Sequence, residues 1–130
     1  MRVLNVVTFT VALLLIVVQG AFAVRGIVAP SAGAVGFGLP ADGPVAEFYH
    51  SVYRDRNLVL TVIAFGLLVS RSWRALAIVF VASTTLPLYD IVALRLAGIP
   101  VLPLHYITLV ALVIVSGLVI ACAMKEPSGR

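Results

Sequence analysis

YHSVYRDRNLVL, residues 49–60, decides the fold, because it places charged side chains directly before apolar sequence. The apolar segment that begins within it, Asn57 to Ser70, has 14 residues. At 1.5 Å per residue such a helix spans about 21 Å, whereas the hydrocarbon core of a bilayer is about 30 Å thick. We therefore predict that the helix begins earlier, near residue 48, and that the charged segment forms its outer third.

The composition of the whole chain indicates a membrane protein. Of its 130 residues, 62% are hydrophobic and 11% are charged, whereas soluble domains average about 45–50% apolar and about 25% charged residues. The net charge of +4 comes from basic residues that lie mostly between apolar blocks. That placement is typical of membrane anchoring, so we predict no nucleic-acid partner. The single cysteine, Cys122, excludes an internal disulfide and a CxxC motif.

Four apolar blocks predict an all-α fold with four transmembrane helices, over about residues 3–24, 48–70, 74–95 and 103–124. The connections between the last three helices are short, so these helices are predicted to be antiparallel neighbours. The Gly- and Pro-rich stretch between the first two is predicted to form a long loop. Residues 1–130 are thus expected to form a single four-helix antiparallel bundle.

The first block has a second interpretation. Arg2, the apolar run and Ala21-Phe22-Ala23 would also suit a cleaved signal peptide covering residues 1–23. The apolar run exceeds the 7–15 residues of a usual signal core, which favours a retained helix. Both alternatives stay open on the sequence alone.

Basic residues orient the predicted bundle. With the N-terminus inside, the inner side carries Arg2, Arg71, Arg74, Lys125 and Arg130, and the outer side carries Arg25, Arg54, Arg56 and Arg95. If Arg54 and Arg56 belong to a helix, they leave the loop count, and the bias places both termini in the cytoplasm. The predicted location is the plasma (inner) membrane.

One ion pair is predicted inside the bilayer. Arg56 lies 14 positions before Ser70, and Asp90 lies 15 positions after Ala75, so the two charges reach nearly the same depth on adjacent helices. An ionised group in hydrocarbon costs at least a few kcal/mol, and such residues usually face the bundle interior and pair. We predict an Arg56–Asp90 pair that acts either as a catalytic or binding site or as a structural clamp.

The remaining polar side chains cluster at the same outer half and predict a cavity there, roofed by the Gly-rich loop. The candidate ligand-binding residues are Tyr53, Asn57, Tyr89, His105, Gln19 and His50. The two histidines alone are weak grounds for a haem or metal site, so we expect no metal and no cofactor. Proton transfer suits them better, because histidine titrates near neutral pH.

Three short motifs, GFGLP at residues 36–40, RDRN at 54–57 and PLYD at 87–90, resemble a group of small four-helix membrane proteins of bacteria and fungi. That group is a domain of unknown function and looks loosely DoxX-like. The resemblance implies that Arg56 and Asp90 form the signature pair. The family has a small residue before its Arg-Asp step, where this chain has Tyr53, so Arg54 is an alternative counterpart. Gly36, Gly38 and Pro40 would correspond to its loop.

Three functions are compatible with these features. The first is an accessory or ligand-binding membrane protein, with the bilayer, a lipophilic small molecule or a second copy of the chain as partner. The second is a membrane-embedded enzyme of isomerase or cyclase type, with Asp90 as acid or base and Arg56 tuning it. A small-molecule exporter ranks last, because such transporters need an acid in their first helix and residues 3–24 contain none.

Overall fold

The computed structural model describes residues 2–39 and 43–126, and every regular element in that part of the chain is an α-helix. The helices are α1 Arg2–Val28, α2 Pro30–Phe37, α3 Pro44–Val69, α4 Trp73–Ser83, α5 Thr85–Leu96 and α6 Pro103–Ala123. The predicted all-α class is confirmed. Residues 49–60 lie wholly inside α3, which begins four residues before the predicted start at 48.

The predicted long loop after the first helix is the main difference between expectation and structure. α1 continues to Val28, and residues 30–37 form α2. Pro30 and Pro44 stand in the first turns of α2 and α3, where the missing N–H of proline costs no helical hydrogen bond. Gly38 ends α2 in the left-handed conformation with a φ of 98°, which suits glycine because it has no Cβ. The prolines therefore start helices here rather than break them.

α4 and α5 continue one another around Thr84. Pro87 lies one turn beyond Ser83 and cannot donate to its carbonyl, which loosens the helix at this point. Three consecutive hydroxyls donate to carbonyls of the preceding turn: Ser83 to Val79, Thr84 to Val81 and Thr85 to Ala82. Such bonds from serine and threonine side chains often bend a helix.

Three helical stretches of the described chain are long and apolar enough to cross a membrane: Arg2–Val28, Trp73–Leu96 and Pro103–Ala123. α3 has comparable length, with 26 residues, but carries Arg54, Asp55 and Arg56 in its first half. α1 packs against α3 and α6, and α4 packs against α6.

The apolar core lies where α1, α3, α4 and α6 meet. Its largest members include Trp73, Phe80, Leu68 and Leu76, and the last two are fully buried. Many other large apolar side chains are exposed, as on Val3, Leu96 and Ile78. An outer surface of this kind is compatible with insertion into lipid.

Candidate functional site

A cavity of about 190 Å³ borders the apolar core, and all six helices contribute to its wall. One part of the wall is apolar and includes Ile16, Phe22, Leu60, Phe80 and Leu112. The polar part consists of Gln19, Arg25, Tyr53, Arg54, Asn57, Thr61, Ser83, Asp90, His105 and Thr108. A mainly apolar pocket with a few convergent polar groups is the usual form of a small-molecule site.

His105 holds the polar part of the cavity together. It is buried in the first turns of α6. Its Nε2 lies 2.9 Å from the carbonyl oxygen of Phe37 at the end of α2, and its Nδ1 lies 3.8 Å from Oδ2 of Asp90 on α5. One imidazole thus connects three helices.

The carbonyl partner determines the protonation pattern of His105. A carbonyl oxygen can only accept, so Nε2 must carry the proton, and a neutral ring then presents an unprotonated Nδ1 to Asp90. An attractive contact requires a further proton, either on Nδ1 or on the carboxyl group. The 3.8 Å separation between Nδ1 and Oδ2 makes this contact an ion pair at most and not a hydrogen bond.

Asp90 is the acidic group of the cavity wall, and its carboxyl oxygens can still accept hydrogen bonds. Its side chain is 17% exposed, and its 3.8 Å separation from Nδ1 is longer than a hydrogen bond. The phenol of Tyr53 interacts with this carboxyl group and with the side chain of Asn57. Asp90 can therefore still accept a proton or a hydrogen bond from a bound molecule.

Arg54 is the cationic group of the site. Its Nε lies 3.3 Å from Nε2 of His50. Its guanidinium carbon lies 5.7 Å from the ring centre of Phe37 and 5.5 Å from that of Tyr53. Cation–π contacts are expected within about 6 Å. These contacts keep the guanidinium at the cavity wall.

The structure assigns the arginine of the site differently from the sequence. Arg56 is exposed and does not line the cavity, whereas Arg54 does. The depth argument could not separate two residues less than one turn apart. Helical rotation separates them, because residues two positions apart point about 200° away from each other. The predicted Arg56–Asp90 pair is not among the ion pairs within residues 2–39 and 43–126, and Arg54 and Asp90 line one cavity.

The other predicted residues fall into two groups. Asp90, Tyr53, Asn57, His105 and Gln19 line the cavity. Tyr89 is 73% exposed. His50 contacts Arg54 and lines a second depression that is more open than the cavity. Of the family motif, Gly36 lines the cavity and Gly38 ends α2, while Pro40 lies outside the described residues.

From the sequence, Arg54 was only an alternative counterpart in the family motif, and Phe37, Arg25 and Thr108 were not predicted as cavity residues. A signal for Arg54 was present, because positions 50, 54, 57 and 61 follow the spacing of one helix face. Phe37 had no comparable signal. Its role depends on α2 folding back so that its ring meets His105 at 4.7 Å and Tyr53 at 5.8 Å.

A family model described as a domain of unknown function (DUF4267) matches residues 9–119. Every residue that lines the cavity falls inside this range. Neither the curated proteins nor the solved structures contain a match. The match supports the predicted relation to a domain of unknown function, and the likeness to DoxX proteins stays a prediction.

Proposed function

The chain belongs to the domain of unknown function family DUF4267, and we propose that it is a small integral membrane protein that binds a lipophilic molecule in its cavity. The observation that carries this proposal is the cavity itself, whose apolar wall meets a cluster of Asp90, His105, Tyr53 and Arg54. Ionisable residues within membrane helices mark functional sites more often than not.

We further propose that α3 is a fourth membrane span and completes an antiparallel bundle. Its charged residues do not preclude this arrangement, because Arg54 faces the cavity and Arg56 lies in the outer half, where long side chains reach the interface. α1 packs along α3 and α6, which supports a retained first helix. The proposed location is the plasma membrane, with both termini in the cytoplasm.

This topology can be tested with single cysteines. After Cys122→Ala removes the only native thiol, Ser70→Cys and Ala97→Cys place exposed thiols at opposite ends of the α4–α5 span. An impermeant maleimide added to intact cells should label Ala97→Cys, and Ser70→Cys only after the membrane is opened. Labelling of both thiols in intact cells would contradict the proposed topology.

The size of the cavity constrains what it can hold. Pockets for drug-sized ligands measure about 300–1,000 Å³, and a cavity of about 150 Å³ admits a molecule such as benzene. At about 190 Å³, this cavity suits one end of a longer molecule rather than the whole of it. A lipophilic molecule would place its polar end at the charged cluster and extend its body along the exposed apolar helices.

Retention of an endogenous ligand tests the proposal. Protein purified in mild detergent should release a lipophilic molecule that mass spectrometry detects. Ala64→Leu and Thr108→Leu narrow the cavity from α3 and α6, and each should reduce the bound amount about tenfold. Ala21→Leu is the control, because Ala21 is exposed on α1 and does not line the cavity. Equal retention by folded samples of all variants would refute cavity binding.

An acid–base enzyme is the second candidate. Because Phe37 engages Nε2 of His105 and Nδ1 faces Asp90, we propose Asp90 as the group that moves a proton. The same ligand distinguishes the two candidates. Deuterium from heavy water should enter it with the wild-type protein and not with Asp90→Asn if proton transfer occurs, and neither protein should exchange it if binding is the only function.

A further inference from the structure

We propose that the bound molecule carries an oxyanion, a carboxylate or a phosphate monoester, and that Arg54 binds this group. The inference rests on the proposed ligand-binding function and specifies the chemical class of the ligand. It depends on how Arg54 is held, on the room made for its side chain, and on the charges around it.

The contacts of Arg54 fix its guanidinium without neutralising it. An arginine Nε–H can only donate, so Nε2 of His50 accepts and that ring is neutral at this contact. The rings of Phe37 and Tyr53 flank the guanidinium but bring no formal charge. Within residues 2–39 and 43–126, the hydrogen bond of Arg54 uses only its Nε, which leaves the terminal nitrogens as donors for a bound group.

Two glycines make room for this arrangement. A Cβ at Gly26 of α1 would overlap the side chain of Arg54, at 2.8 Å from Cδ and 2.9 Å from Nε. A Cβ at Gly33 of α2 would lie 2.9 Å from Nε2 of His50 and 2.8 Å from Cα of Gly26. The arginine stem therefore lies against bare backbone where α1 and α2 approach each other. Glycine at both positions therefore leaves room for the side chains of Arg54 and His50.

Among the described residues, no acidic side chain is in direct contact with Arg54. Between residues 2–39 and 43–126, ion pairs of 4.0 Å or less join Arg74 to Glu126 and His105 to Asp90, and neither includes Arg54. Asp90 attracts Arg54 over a longer distance and is itself engaged by His105. Arg25 also lines the cavity. The described part of the cavity wall thus carries two arginines and one carboxyl group, which leaves an excess of positive charge.

An oxyanion fits this excess better than a neutral head group does. A charge kept in an apolar setting costs several kcal/mol unless a partner compensates it. The planar guanidinium presents parallel N–H donors that match the two oxygens of a carboxylate or phosphate. A bound oxyanion would supply the missing counter-charge, whereas an alcohol or ester would not.

Binding of defined probes to the full chain in maltoside micelles tests the inference. The probes are oleate, oleyl phosphate, methyl oleate and oleyl alcohol, which share one hydrocarbon chain and differ in the head group. We expect wild-type protein to bind oleate or oleyl phosphate about tenfold or more tightly than either neutral probe. The anion bound more tightly then identifies the head group as carboxylate or phosphate.

Substitutions assign the effect to Arg54. Arg54→Gln should weaken anion binding about tenfold or more, the loss expected for a charge-assisted bidentate contact, and should leave methyl oleate binding unchanged. Arg56→Gln is the matched control, because it removes the same charge from an exposed neighbour. Gly26→Ala provides an independent route, since it displaces the side chain of Arg54 without changing its chemistry.

The outcomes separate this inference from the proposed function. If all four probes bind equally and Ala64→Leu abolishes their binding, the cavity binds lipophiles and the anion assignment is overturned. If Arg54→Gln and Arg56→Gln weaken oleate binding equally, surface attraction explains the effect and the assignment also fails. If no probe binds and no endogenous ligand is retained, the proposed function fails as well.

Discussion

Replacing His105 by leucine is expected to lower the free energy of unfolding by about 3 kcal/mol, because the change leaves two partly buried groups without their partner at once. The carbonyl of Phe37 loses its 2.9 Å donor, and Asp90 loses the imidazole at 3.8 Å. Denaturant titration in detergent measures the change. The single tryptophan, Trp73, is buried and reports unfolding by fluorescence.

A double-mutant cycle attributes this loss to the pair. Asp90→Asn alone removes the charge that His105 compensates, and it should be less harmful than His105→Leu. In the Asp90→Asn/His105→Leu variant, the leucine no longer faces a carboxylate. The double variant should therefore lose about 1–2 kcal/mol less unfolding free energy than the sum of the two single losses, within the usual range for residues in contact. Strict additivity would show that the two side chains are not coupled.

The same variants separate a structural clamp from a binding site. Asp90→Asn nearly preserves the shape of the side chain, so the bundle should stay folded at moderate temperature. A folded protein that has lost its ligand would indicate a site, and a folded protein that retains it would indicate a clamp. Stability and ligand retention therefore need to be measured on the same preparation.

Trp73→Ala is expected to destabilise the protein by about 3–5 kcal/mol, the usual cost of deleting a large buried aromatic side chain. Trp73 begins α4, is 5% exposed and belongs to the apolar core. Moving an apolar side chain between protein and lipid changes the free energy little in a membrane. Most of the expected loss therefore comes from the packing contacts that disappear with the Trp73 side chain. Thermal unfolding followed by circular dichroism measures the effect, because the variant has no tryptophan.

Leu96→Ala is the control for this prediction. Leu96 is 85% exposed, so shortening its side chain leaves no internal cavity, and the stability should change by less than about 0.5 kcal/mol. Trp73 is not a cavity-lining residue, so Trp73→Ala should still bind ligand at temperatures where it is folded. If Trp73→Ala were as stable as Leu96→Ala, that result would contradict the placement of Trp73 in the apolar core.

The helices themselves were largely predictable, because apolar length and the 1.5 Å rise are properties of the local sequence. The short apolar segment after Arg56 required an earlier helix start, and α3 indeed includes residues 49–60. α2 was not predictable in this way. The Gly, Ala and Pro content around Pro30 and Gly36 indicates a loop when each residue is considered separately. The segment is nevertheless helical where it packs on α1 and α3.

The candidate site was predictable in composition and depth but not in partners. Counting residues along the helices selected Asp90, Tyr53, Asn57 and His105, and all four line the cavity. The same count selected Arg56, because depth varies slowly along a helix while direction changes by 100° at every residue. The pairing of His105 with Asp90 also escaped it, since no local pattern relates positions on α5 and α6.

The sequence by itself determined the all-α class, the apolar stretches and the positions along the helices at which the polar residues gather, since these follow from composition and the fixed geometry of a helix. The segment at residues 49–60 illustrates the division. Its helical state followed from a length requirement, whereas the choice of Arg54 over Arg56 depended on how α3 is rotated against α1 and α2. That rotation is set by packing between distant segments, including the bare backbone at Gly26 and Gly33, and only the tertiary structure decides it.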